Sequence, residues 1–157
     1  MIHLHQSPHV QQSRLAQPIT LDDFVAVFMV AVPEQKQWSM RLLSHSADET
    51  AACLTNLGLG IVWDFGRKEV GCVAPLGTGI QTIRIERVNT EFALVTKAGS
   101  TPLTVMGDGT DGPITFDLIG GLNDSPGCHV LAAVIMPGRP TPEDVARAVR
   151  RARWQLL

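Results

Sequence analysis

At 157 residues and a formal net charge of −2, the chain has the length of one domain and no global electrostatic footprint for nucleic acid or an anionic membrane. Charged residues make up only 18% against 45% hydrophobic ones, which points to a large buried fraction or to a surface that meets a sister subunit, and so to a homo-oligomer. Tyrosine is absent and only three lysines (Lys36, Lys68, Lys97) stand beside ten arginines, so phenolic acid–base chemistry is excluded and Schiff-base chemistry has few amines to use.

Three cysteines (Cys53, Cys72, Cys128) form an odd set without C-x-x-C spacing, which predicts neither a disulfide framework nor a structural zinc site. The amino-terminal residues lack a basic stretch followed by an apolar one. The longest apolar run, Phe24–Val32, is too short to span a bilayer. Together these features predict a cytoplasmic protein without membrane partners.

Residues 1–18, rich in Gln and His and interrupted by Pro8 and Pro18, read as an extended arm, and residues 19–157 as a single domain. Phe24–Val32 is β-branched and stopped by Pro33, which predicts a buried strand. Residues 37–43 read as a further strand. Ser46-Ala-Asp-Glu49 has the spacing of a capping box and predicts a helix over 47–57, closed at Gly58. Strand follows strand after that: 61–65 and 69–74 around a Gly66 turn, 80–88, 91–97 beyond a turn at Asn89-Thr90, 103–106, 114–119 and 128–136. In the 80–88 stretch Ile83 and Ile85 share one face while Arg84 and Glu86 share the other. Thr141-Pro-Glu-Asp144 opens a second helix that runs to the carboxyl end. The expected fold is therefore α+β: a mostly antiparallel sheet, curled or barrel-like, packed by two helices behind an extended arm.

Chemistry-bearing residues are scattered. His3, His5 and His9 have a spacing that lets two or three imidazoles hold a metal. Cys128 and His129 are neighbours on a strand and point to opposite faces, so they cannot pair with each other; His129 is the better catalytic candidate. The glycine-rich loop at 107–112 carries Asp108 and Asp111 but lacks the closing glutamate of an EF-hand. If 114–119 and 128–136 pair as a hairpin, this loop shares one end of the sheet with Arg139 and the start of the last helix, which makes Asp108, Asp111 and Arg139 candidate ligand-binding residues for a small anion. The last helix places Arg147, Arg150, Arg151 and Trp154 opposite Val145 and Val149.

These observations predict a small binding or accessory protein that holds an anionic ligand or a protein partner, with no cofactor specified by any motif. An enzyme (lyase, isomerase or hydrolase) with Asp108, Asp111, His129 and Arg139 meeting at a subunit interface is the alternative. Nucleic-acid binding through the last helix is disfavoured by the net charge.

Overall fold

The fold comes from a computed structural model that describes residues 2–5, 12–107, 111–121 and 128–156. It comprises thirteen strands and a single helix among those residues: β1 (Ile2–His5), β2 (Gln12–Leu21), β3 (Phe24–Val32), β4 (Ser39–Ser44), β5 (Ala51–Thr55), β6 (Gly58–Trp63) and β7 (Lys68–Val73). They are followed by β8 (Gly79–Val88), β9 (Glu91–Thr96), β10 (Gly99–Pro102), β11 (Thr104–Val105), β12 (Ile114–Gly120), β13 (His129–Pro137) and α1 (Pro142–Leu156).

The strands form two antiparallel sheets packed as a sandwich, ordered β1-β13-β3-β8-β9-β10 and β11-β7-β6-β5-β4-β12-β2. The expected α+β fold is thus corrected to an all-β sandwich with one helix laid on its outside. Inward-facing residues of both sheets, among them Phe28, Leu42, Leu54, Trp63, Ile83, Leu94, Phe116 and Ile135, make one continuous core. On the other face of β3 and β13, Val25, Val27, Met29, Val134 and Met136 meet Val145 and Ala148 of α1 in a second cluster. The apolar character of both faces of these two strands follows from that double burial. Among the described residues no helix is long and apolar enough to cross a membrane.

Two further expectations are overturned. No helix spans 47–57: β5 alternates buried Ala52 and Leu54 with half-buried Ala51, Cys53 and Thr55, the period of a strand. The capping residues are taken elsewhere. The Ser46 amide donates to Asp117 Oδ1 at 2.8 Å, the Ser46 hydroxyl donates to Asp117 Oδ2, and the Thr50 amide donates to Asp48 Oδ1 at 2.7 Å. A long-range carboxylate on β12 thus captures the group that would have capped a helix. Nor do 114–119 and 128–136 pair: β12 lies between β4 and β2, and β13 lies between β1 and β3 in the facing sheet. Parts of the segment read as an arm are docked on the body, with β1 paired to β13 and β2 to β12.

Asp117 is buried, and burial pushes its carboxyl up. The Ser46 hydroxyl and amide, with the charges of His45 and Arg14, outweigh that and hold it below the ordinary carboxylate value. Because the folded value is the lower one, the stabilisation is complete above the unfolded carboxylate's titration near pH ~4 and is lost as acid titrates through the depressed value. The urea midpoint of the native chain should therefore fall more steeply below pH ~4 than that of Asp117→Asn, which starts lower at neutral pH. A gap between the two that does not narrow in acid removes this account of the β4–β5 turn.

Candidate ligand-binding site

The parity that places Ile83 and Ile85 in the core also turns Arg87 inward, at the end of β8, where it is 1% exposed. A buried guanidinium needs acceptors, and the loops at this end of the sandwich supply them. Its Nη1 donates to the Asp22 carbonyl at 3.1 Å, and its Nη2 to the carbonyls of Asp111 and Gly112 at 3.0 and 2.9 Å. The cation lies 5.6 Å from the Trp63 ring centre and 5.2 Å from that of Phe92. Burial pushes its pKa down, opposed by the charges of Asp22, Asp111 and Asp23. Arg87 thereby ties the β2–β3 turn and the segment leading into β12 to the β8–β9 hairpin.

Around this hub lie two recesses. Where the chain crosses from β10 to β11 through Leu103, the sheet edges part over a cleft of about 620 Å³. Its polar lining comes from Lys68, Glu86, Asn89, Thr90, Glu91 and Asp111, and its apolar floor from Val70, Phe92 and Leu103. The charges are largely paired off: Lys68 Nζ meets Asp111 Oδ1 at 2.7 Å and Arg84 meets Glu86 at 2.7 Å. The second recess, about 480 Å³, is bounded by Thr20, Asp22, Asp23, Arg87 and Gly138 together with Asn89 and Thr90. Here Arg139 Nε donates to Asp23 Oδ2 at 2.7 Å and Arg139 Nη2 donates to Asn89 Oδ1, while the Asn89 amide donates to Asp23 Oδ1 at 2.9 Å. The bond from Arg139 is the main reason the Asp23 carboxyl sits below its ordinary value; burial opposes it and the Asn89 amide adds to it.

Asp111 and Arg139 therefore stand at the same end of the molecule, since β12 leaves that end and β13 returns to it in the facing sheet. Each holds an oppositely charged partner of its own, Asp111 with Lys68 and Arg139 with Asp23. The first turn of α1 is likewise engaged, with Thr141 Oγ1 accepting from the Asp144 amide at 3.1 Å and donating to Asp144 Oδ2 at 2.8 Å. His129 opens β13 opposite Ala31, and at about 3.4 Å per residue lies about 27 Å along the strand from Pro137. One chain thus does not bring His129 together with Asp111 and Arg139. Cys128 is buried in the main core, and burial raises its pKa. The backbones of His3 and His5 pair with Val134 and Ala132, whereas their side chains, His9 and Asp108 lie outside the described residues. Among the described residues no group of three or more His, Cys, Asp or Glu is placed to hold a metal.

Sequence reading missed Arg87, Lys68 and Glu91. The signal for Arg87 was present, because it has the same parity as Ile83 and Ile85; nothing local marks Lys68, whose partner lies in a distant loop.

No protein-family model matches the chain, and no curated protein does. Among solved structures the chain is similar to domains LG4-5 of the mouse laminin alpha1 chain, at 14% identity and a TM-score of 0.53, over 80% of this chain and 38% of that one. The chain thus spans well under half of that structure, and what they share is the fold. It is also similar to chicken galectin 2 (11% identity, TM-score 0.49, 79% of this chain and 96% of that one). The carbohydrate binding module CBM66 from Bacillus subtilis gives 11% identity and a TM-score of 0.46, over 80% of this chain and 83% of that one.

Proposed function

We propose that this protein is a non-catalytic binding module whose rim cleft takes a saccharide. One observation carries the reading: the larger recess presents an amide, a hydroxyl and carboxylates above an apolar floor, with its main charges already paired inside the protein. Such a surface offers many hydrogen bonds and little net attraction for an ion, which matches a polyhydroxylated ring with one apolar face. A small anion is a poorer match, because Lys68 and Arg139 each already hold a carboxylate at 2.7 Å. Glu91, exposed at the start of β9, is the cleft carboxylate that makes no ion pair among the described residues and is the acceptor offered to sugar hydroxyls.

The purified chain, screened on an array of neutral and acidic glycans, should bind neutral saccharides, with a Kd in calorimetry that barely moves between low and high salt. Glu91→Ala should weaken that binding about tenfold, the size expected for a lost hydrogen bond to a charged group. Retention of acidic glycans alone, with steep salt dependence, would overturn the reading, as would the absence of any glycan binding.

A further inference from the structure

Asn89 and Thr90 line both recesses, so the β8–β9 turn forms a saddle between them. With Val88 paired to Glu91, these two residues make the whole connection, and both have left-handed backbones, φ 51° and 69°. A two-residue hairpin of right-handed twist calls for that conformation at both centres, and asparagine tolerates it. A β-branched residue does not, and glycine would occupy the second centre without strain.

Thr90 is nevertheless there, exposed, with no burial to offset the strain and no hydrogen bond to a described residue. Strained, exposed side chains of this kind gather where a ligand is gripped. We infer that Thr90 is the bridging contact of a single extended site, on which one oligosaccharide crosses the saddle from the larger recess into the smaller. This rests on the saccharide reading and adds the ligand's length to it. A monosaccharide fills only the first recess, beside Glu91, whereas a longer chain continues over Thr90 towards Thr20 and the exposed carboxylate of Asp22 in the second.

The test uses α-1,4- and β-1,4-linked glucose, β-1,4-linked mannose and β-1,4-linked galactose series, each from monomer to hexamer, titrated into the native chain, Thr90→Gly and Asp22→Ala. Native affinity should rise at least tenfold along the bound series. Thr90→Gly should raise the urea midpoint, because the strain is relieved, and at the same time lose about tenfold in affinity for the longer oligomers, a clearly larger loss than for the monomer, which keeps its contact with Glu91. Asp22→Ala should show the same length-selective loss with no gain in stability. A purely structural Thr90 would give the raised midpoint with affinity untouched, and that result overturns the inference. Monomer and hexamer bound equally well would also overturn it while leaving the saccharide reading standing; no binding by any series removes both.

Discussion

Arg87→Met should lower the free energy of unfolding by about 3–5 kcal/mol, with the slope of the urea transition unchanged. The guanidinium of Arg87 is the donor to the Asp22, Asp111 and Gly112 carbonyls, and the thioether cannot replace any of those bonds. Each stranded carbonyl costs about 1–3 kcal/mol if it stays dry, and the rim position lets water recover part of that. Methionine fills much of the space between Trp63 and Phe92, which limits the loss from packing. Arg87→Lys should recover little, because one compact ammonium cannot reach three acceptors on two loops as a planar fork does. A loss below about 1 kcal/mol would mean that the loops at this rim hold themselves in place without the hub.

Gly58→Ala should cost about 3 kcal/mol or more, measured as a fall in thermal midpoint. A Cβ on Gly58 would stand 1.9 Å from the Cys72 carbonyl oxygen and 2.9 Å from the Ala74 amide nitrogen. Both are backbone atoms held by the ladder: Gly58 pairs with Val73, and the Ala74 amide donates to the Leu57 carbonyl at 2.9 Å. Neither strand can retreat without breaking pairs. Gly60→Ala is the control on the same strand, since a Cβ there meets nothing within 4 Å, and it should change stability by no more than about 0.5 kcal/mol. Equal effects at the two positions would show that lost backbone freedom, and not the close approach at Gly58, sets the result.

Much of the strand pattern is legible in the amino-acid order, and little of its assembly is. Runs such as Phe24–Val32 and Ile114–Gly120 announce themselves by β-branched residues between turn signals, and the Thr141–Asp144 cap marks the helix that forms. The Ser46–Glu49 motif carries an equally good local signal and makes a turn, because Asp117, 71 residues away from Ser46, competes for its hydroxyl and amide. Local spacing records what a residue offers; it does not record which distant partner takes it. The same limit hid the second sheet. Strands β12 and β13 run antiparallel whether they are paired or face one another across a core, so the alternation of their residues fits both arrangements. Among the described residues strand β2 is paired on one side only, and it exposes Ala16, Gln17 and Pro18, so its composition resembles that of a tail. At the site, parity identifies Arg87 as inward-facing, whereas the Lys68–Asp111 pair exists only once both sheets are in place.

The position of β3 between β8 and β13 has a consequence for biosynthesis. On the ribosome, Phe24–Val32 emerges before both of its neighbours, one of which follows only with residues 79–88 and the other only with residues 129–137. Until residue 137 has been made, a nine-residue run with two greasy sides is left without its full set of flanking partners. The nascent polypeptide is therefore an obvious client for hydrophobe-binding chaperones, and truncated products ending before β13 should be recovered in inclusion bodies.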